Sequence, residues 1–443
     1  MSNHQVSRRR RLGALAVTAA FTLAACGGDD SADEPGDSSV TPQSTAGERA
    51  PATSDASPAT TATTSHPSTS APSGSEPEAT APPAGEPTGD PVIVYHTDTG
   101  TQGDIDDVLA AIESGVNARG GIAGRPLELK LCRDNQDVNE ASRCAQTAVD
   151  DGAIAIVGNS TTCGSQLADI LASAQLASVS DQYFCPDLFA SENVFPFNAG
   201  FLSASAATAL GVEFFDQPNV LVATIDAPAT HAYVELLGGV VAPAGGTVTK
   251  TVFIPLTVTD MAPYAAQLAN EEGLLAEGNT LDIAARLYKE LQQQGFEQPV
   301  IVSPTTFDAG VIEANFENPT NFYLGSGFDL DSEGFAMFNA DLTEFAPEYT
   351  RRNGVMQAVW LGVNVLADVA PELPELSSAA VLEYFQTATD IDTFGMSTKP
   401  LNFTVKNDAM GGTIPQVSND LVALYRYEDG ELIRESDWVD VLE

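Results

Sequence analysis

From Pro91 onward the chain alternates two hydrophobic patterns. Short apolar runs closed by glycine or polar residues are followed by stretches whose apolar positions recur every three to four residues. The short runs predict strands at Val92–Tyr95, Leu127–Leu131, Ala153–Val157, Leu176–Ser180, Val194–Asn198, Asn219–Ile225, Thr247–Ile254, Gly273–Gly278, Val300–Ser303 and Asn321–Leu324. Ala153–Val157 is continuously apolar, as expected of a strand buried on both faces of a parallel sheet. The periodic stretches predict helices at 104–117, 139–150, 165–174, 203–215, 232–242, 259–272, 281–294, 352–370 and 376–388. Val108, Leu109, Ile112 and Val116 share one helical face; Met261, Tyr264 and Leu268 share another. Asn117–Gly124 reads as a helix end running into a glycine turn. Pro400–Val405 is extended, and Leu421–Ile433 is a hairpin turning at Glu428-Asp429-Gly430. There is no repeat of fixed period.

Strand and helix in alternation predict an α/β fold of two doubly wound parallel-sheet lobes, with a hinge and a ligand cleft. Residues 91–200 with about 325–400 form lobe 1, and 201–324 with about 401–443 form lobe 2. In such sheets ligands sit beyond the carboxyl ends of the strands. That selects the loops His96–Gly103, Gly158–Ser165, Asp181–Cys185 and Asp226–Tyr233. The second loop is rich in hydroxyls and opens a helix, so its N–H groups suit a carboxylate.

Residues 1–90 have neither pattern. Arg8-Arg9-Arg10-Arg11 precede a short apolar stretch ending in small residues, which predicts an export signal over 1–25, too short to span a membrane. The twin arginines leave the export route open. Leu23-Ala24-Ala25-Cys26 resembles the lipobox of bacterial lipoproteins, which implies cleavage before Cys26 and acylation of its thiol. The chain after it is rich in Ser, Thr, Ala, Pro and Gly and cannot bury enough to offset its ordering entropy. Residues 26–90 are therefore expected to be a lipidated cysteine and a disordered tether, about 40–50 Å long on average.

Charge narrows the partners. Lys and Arg number 19 against 61 Asp and Glu, a formal charge of −42, and removing the four arginines of the signal takes it to −46. Nucleic acid and anionic lipid both demand a basic face and are excluded as partners of the folded part. The acid is read as a solvated surface; a salt-rich habitat would also fit.

Cys132, Cys144, Cys163 and Cys185 are an even set in an exported chain, which favours disulfides over metal ligands. Three pairings exist. Cys132–Cys144 joins a strand end to the next helix, and Cys163–Cys185 joins two loops at one sheet edge. No metal site or cofactor is expected. Asp329-x-Asp331-x-Glu333-Gly334 starts like a calcium loop, but its twelfth position is Ala340, so it is read as a solvated turn.

Three stretches carry a resemblance. They are Asn117-Ala118-Arg119-Gly120-Gly121-Ile122-Ala123-Gly124-Arg125-Pro126-Leu127-Glu128-Leu129, then Arg133-Asp134-Asn135, then Ala155-Ile156-Val157-Gly158-Asn159-Ser160. Together they resemble the type I solute-binding proteins of ABC transporters, in their leucine/isoleucine/valine-binding branch. The resemblance implies a monomeric, lipid-anchored extracytoplasmic protein that captures an amino acid, amide or carboxylate and passes it to an ABC permease. It implies that the loops matching 159–163 and 180–183 hold an α-carboxylate and α-amino group, and that the loop matching 226–233 reaches in from the other lobe. The ligand-binding set is then Asp98, Gln102, Asn159, Ser160, Thr161, Thr162, Asp181, Gln182, Tyr183, Asp226, His231 and Tyr233, with Phe184 and Glu277 as lesser candidates. The family's Asp-x-x-Tyr-Gly layout has become Asp226-…-His231-Ala232-Tyr233 here.

Other functions remain in play. The same fold can serve a receptor as a sensor, or stand as a surface protein with no ligand. A hydrolase would pair Ser160 or Cys163 with His96 or His231, but Ser160 lacks the Gly-x-Ser-x-Gly elbow. Neither a Walker loop nor a Gly-x-Gly-x-x-Gly turn after a strand is present. No catalytic residue is assigned.

Overall fold

In a computed structural model, residues 85–161, 165–182, 186–200, 202–407, 412 and 414–440 are described. Cys26, Thr162, Cys163, Tyr183, Phe184 and Cys185 lie outside the described residues. In chain order the elements are β1 (Val92–Asp98), α1 (Asp106–Ala118), β2 (Leu127–Arg133), α2 (Val138–Asp150), β3 (Ala155–Val157), α3 (Ser165–Ala174), β4 (Ala177–Val179), α4 (Pro186–Phe189), β5 (Val194–Phe195) and α5 (Leu202–Phe214). Then follow β6 (Asn219–Ile225), α6 (Pro228–Val241), β7 (Thr247–Ile254), α7 (Ala262–Ala265), β8 (Leu274–Gly278), α8 (Leu281–Gln293), β9 (Val300–Val302), α9 (Ala309–Asn315) and β10 (Phe322–Ser326). The chain closes with α10 (Glu333–Phe345), α11 (Gly354–Val369), α12 (Ser378–Thr387), β11 (Leu421–Glu428), β12 (Glu431–Arg434) and β13 (Val439–Asp440).

The strands form two sheets. The first is all parallel in the order β2-β1-β3-β4-β5. The second runs β12-β11-β10-β9-β8-β6-β7, with β13 paired to β11. Its five strands from β6 to β10 are parallel, while the β11–β12 hairpin adds an antiparallel end. In each sheet the order reverses once: between β1 and β3, and between β6 and β8. Loops leaving the carboxyl ends diverge at such a point, which opens a crevice for a ligand. The fold is α/β with two parallel-sheet lobes.

The core explains why late helices return to the first sheet. In α11, fourteen of sixteen residues are buried, from Gly354 through Leu366 and Val369. This helix joins Val94, Val157, Val179 and Phe195 of the first sheet in one cluster with Phe338 of α10 and Phe385 of α12. Burying each such side chain contributes about 1.5–3 kcal/mol. A second cluster puts Ala206, Ala207 and Leu210 of α5 against Val220, Leu274 and Ile301 of the second sheet. A third covers that sheet's other face with α8 and α9.

Close approach fixes the helix positions. Gly115 of α1 faces Asp341 of α10, and a Cβ there would meet Asp341 Cγ at 2.5 Å. The buried Asp341 carboxylate accepts from Arg119 Nη1 at 2.7 Å and Nη2 at 2.8 Å, and from Trp360 Nε1 at 2.7 Å. A bidentate guanidinium and an indole leave that carboxylate satisfied, as burial requires.

Several expectations need correction. The first strand does not stop at Tyr95. His96, Thr97 and Asp98 continue the ladder against Leu131, Cys132 and Arg133, so the His96–Gly103 loop begins only after Asp98. The helix expected over 259–272 shrinks to α7 and turns. Helices α4, α9 and α10 have no counterpart among the expected elements. The solvated turn at Asp329–Gly334 leads into α10, with the Ser332 hydroxyl accepting from Phe335 N as its cap. Pro400–Val405 forms no strand beyond one bridge between Leu401 and Ile391. The end of the expected tether is held: Thr88 N donates to Gly124 O at 2.9 Å, and Arg125 Nε donates to Asp90 O at 2.9 Å. Cys132 and Cys144 are joined in a disulfide.

Candidate functional site

In the first lobe the polar residues at the strand ends bond one another. Asn159 follows β3 after Gly158, whose φ of +55° turns the chain sharply. Its Oδ1 accepts from the Thr97 hydroxyl, and its Nδ2 donates to Ser178 Oγ at 3.2 Å. Ser178 Oγ in turn donates to Asp181 Oδ1 at 2.7 Å. Thr161 Oγ1 donates to Asp134 Oδ2 at 2.5 Å. Gln182 N donates to Asn159 O at 2.9 Å, and Gln182 Nε2 donates to Asn198 Oδ1 at 3.1 Å. Ser160 is half-buried, and its N donates to Thr97 O. The side chains of Asn159, Thr161, Asp181 and Gln182 therefore brace the loops. These bonds hold the loop backbone in one shape, while Asp98 Oδ1, Ser180 Oγ and Asp181 Oδ2 are buried with no hydrogen-bond partner among the described residues.

Burial controls the titration of this end. It pushes the Asp98 carboxyl up to about 6, although Gly100 N donates to its Oδ2 at 2.7 Å. It pushes the Asp181 carboxyl well above the usual range. His96 lies inside β1, fully buried, and burial lowers its imidazole to about 4. The neutral ring donates from Nδ1 to Val157 O at 3.1 Å. The expectation of His96 in a loop facing a cleft, or as a base for Ser160, does not match this placement.

Gln102 takes a different part. Its Oε1 accepts from Asn353 Nδ2 at 2.9 Å and Arg351 Nη2 at 3.4 Å, and its carbonyl accepts from Arg351 Nη1. It braces the segment entering α11.

The second lobe has open space at the matching position. A cavity of about 130 Å³ is lined by Thr224, Thr230, Tyr233, Glu277, Gly278, Asn279, Ser303, Thr305 and Thr306. These residues come from the carboxyl ends of β6, β8 and β9 and the start of α6, around the crevice between β6 and β8. Glu277 is 8 % exposed. Its Oε1 accepts from Asn279 N at 2.9 Å and Asn279 Nδ2 at 2.6 Å, while Oε2 has no hydrogen-bond partner among the described residues. Burial raises this carboxyl to about 8. Tyr233 is buried and its phenol is pushed up to about 12, chiefly by burial. Thr224 Oγ1 donates to Gly278 O at 2.9 Å, and the Ser303 and Thr305 hydroxyls share a bond of 2.8 Å.

Of the expected residues in the second lobe, Tyr233 and the lesser candidate Glu277 line the cavity. Asp226 and His231 do not. They are half-exposed and pair with each other, His231 Nε2 donating to Asp226 Oδ1 at 3.0 Å. The imidazole stacks on Phe253 of β7, with ring centroids 3.9 Å apart. Thr224, Asn279, Ser303, Thr305 and Thr306 escaped the sequence reading, and Thr230 entered it only as part of the loop Asp226–Tyr233. A signal for them exists: each sits at or just past a strand's carboxyl end or opens the helix after it. Hydroxyls and amides that can donate or accept, with one buried carboxyl, suit a small polar solute. Among the described residues no group of three His, Cys, Asp or Glu is placed to hold a metal ion.

The two lobes meet beside this cavity. Pro304 O accepts from Gly354 N at 2.7 Å, and Asp308 Oδ2 accepts from Arg352 N at 2.6 Å. Thr305 and Thr306 lie between those two contacts.

Comparison with known proteins agrees with this architecture. Among solved structures, a substrate-binding periplasmic protein from Ralstonia solanacearum has a TM-score of 0.63 at 16% identity, over 78% of this chain and 100% of that one. A fatty acid ABC transporter substrate-binding protein from Thermomonospora curvata has a TM-score of 0.61 at 15% identity, over 81% and 95%. The branched-chain amino acid transporter substrate-binding protein of Streptococcus pneumoniae, in complex with isoleucine, has a TM-score of 0.58 at 12% identity, over 78% and 100%. At these identities the likeness is one of fold. Comparison with curated protein sequences finds no match. Residues 101–412 match the family described as periplasmic binding protein. With that match spanning most of the folded chain, and two parallel-sheet lobes beneath it, the chain belongs to the periplasmic binding proteins of type I.

Proposed function

We propose that this protein is a lipid-anchored solute-binding protein, tethered through Cys26, that captures an amino acid or related small polar solute for uptake by an ABC permease. The lobes are residues 91–200 with about 325–400, and 201–324 with about 401–443, closing as a monomer about a hinge. The observation that carries the reading is the cavity of about 130 Å³ at the β6–β8 crevice, with Glu277 Oε2 unpartnered in its wall. The family supports binding over catalysis, and relatives named for branched-chain amino acids and for fatty acid support transport.

Within that reading, Glu277 and the hydroxyls of Thr305 and Tyr233 receive the ammonium and polar atoms of the solute. The first lobe offers the half-buried Ser160 hydroxyl for a carboxylate, the N–H groups of Asn159 and Ser160 being bonded to Asp181 and to Thr97 O. A cation beside Glu277 favours its charged form and draws its raised pKa back down. An amine ligand therefore displaces a proton from Glu277 as it binds near pH 7.

A thermal-shift screen of residues 83–443 against amino acids, amides, short-chain acids and fatty acids tests the reading. At least one amino acid or amide is expected to raise the melting temperature. Calorimetry of that ligand in buffers of different ionisation enthalpy is expected to show proton release, absent in Glu277→Gln. A flat response across the whole panel refutes the solute class.

A further inference from the structure

The meeting of the lobes beside the cavity has more structure than two chance contacts. On the second-lobe side, the loop after β9 and the first turn of α9 present three groups in a row: Pro304 O, the Asp308 carboxylate and Gly310. On the first-lobe side, the segment leading into α11 presents Thr350 O, Arg352 N and Gly354 N. Asp308 is buried and divides its two oxygens. Oδ1 accepts from Val311 N at 2.9 Å as the cap of α9, and Oδ2 accepts from Arg352 N at 2.6 Å. Pro304 O accepts from Gly354 N at 2.7 Å.

Glycines allow the backbones to approach. A Cβ on Gly310 would stand 2.8 Å from Thr350 O, and one on Gly354 would stand 3.2 Å from Pro304 O. The first-lobe segment is also held in shape from behind. Arg351 donates to the Gln102 carbonyl and Oε1, Asn353 Nδ2 donates to Gln102 Oε1, and Arg352 Nε donates to Asn339 Oδ1 at 3.0 Å. Gln357 Nε2 closes the turn on Arg352 O at 2.6 Å. The side chains of Arg351 and Arg352 thus bond within their own lobe, while the amides of Arg352 and Gly354 bond to the other.

We propose that residues 350–354 of the first lobe and 304–310 of the second form a latch, in which Asp308 and Pro304 grip the amides of Arg352 and Gly354 and hold the lobes shut beside the cavity. A buried amide or carboxyl oxygen left unpaired there costs its full desolvation. The latch is made of protein groups alone, so it sets the population of the closed form before any solute adds its own contacts. A solute then needs less differential affinity to complete closure.

Hydrogen exchange of the full-length protein, with no solute added, tests the latch. Asp308→Asn keeps one oxygen to cap Val311 N, since Asn caps as well as Asp. Its NH₂ then meets Arg352 N, donor against donor. Exchange over residues 350–356 is expected to quicken about ten- to a hundredfold, with 311–316 unchanged. Gly310→Ala acts with opposite signs on the two sides: Ala favours the helix, so α9 exchanges no faster, while its methyl collides with Thr350 O and 350–356 exchanges faster. Wild-type exchange over 350–356 in both variants overturns the latch. So does acceleration in Asp308→Asn that spreads equally through α9 and β9, because that is loss of local structure. Neither outcome depends on which solute the cavity takes.

Discussion

The carboxyl ends of the two sheets are built from similar residues and differ in what those residues touch. At the first, Thr97, Asn159, Ser178 and Asp181 form a continuous chain of hydrogen bonds. At the second, Glu277, Asn279, Ser303 and Thr305 surround about 130 Å³ of space. Polar composition at a strand end therefore does not by itself mark a ligand contact. At one end the side chains bond one another; at the other they line a cavity.

The largest expected effect is at the first end. Gly158→Ala forces a side chain onto a φ of +55° and puts its Cβ 2.5 Å from Val359 Cγ2 of α11. A loss of about 3–4 kcal/mol in urea denaturation is expected. Asn159→Ala strips partners from Thr97 and Ser178, both buried, and is expected to cost about 2–3 kcal/mol. Loss of solute binding by Asn159→Ala at unchanged stability would break the comparison, since the side chain would then be a ligand contact.

Glu277→Gln sharpens it through pH. The folded protein holds a proton on Glu277 up to about pH 8, whereas the unfolded chain releases it near 4.5. The folded state binds more protons across that window, so stability falls as pH rises from about 4.5 to 8 and levels off above it. The Gln variant lacks this decline and is expected to melt a few degrees above wild type at pH 8, and level with it at pH 4.5. Equal slopes in the two proteins would show that Glu277 is already ionised. Asp98→Asn removes only the part of the decline below about pH 6, because the Asp98 carboxyl is raised less far. The smallest effect belongs to Thr305→Ala, expected to change stability by less than about 0.5 kcal/mol while weakening solute binding. A large loss of stability there would make the second end like the first.

Much of the fold is legible in the sequence because the apolar pattern is strong where the sheets are. Asn219–Ile225 and Thr247–Ile254 match their strands residue for residue, and helix 165–174 matches α3. The pattern fails where polarity is buried. Thr97 and Asp98 look like loop residues, yet they lie in β1 because their backbone pairs with β2 and their side chains find partners inside. Helix α10 escapes the pattern because its buried face includes Gly334 and Asp341, an acid made tolerable only by Arg119 and Trp360 from distant parts of the chain. The candidate site is less legible. The cavity lies past strand ends, where parallel sheets lead one to look, but sequence cannot say which hydroxyl turns inward. His231 stands out for its chemistry, and it stacks on Phe253 of β7 instead.

The return of α10, α11 and α12 to the first sheet has a consequence for biosynthesis. Strands β1 to β5 are synthesised by Phe195, but the helices that cover one of their faces are not complete until Thr387. A nascent chain must keep that apolar surface unsatisfied while nearly two hundred further residues emerge. Holding factors that shield exposed strands are therefore needed by the half of the molecule that is made first.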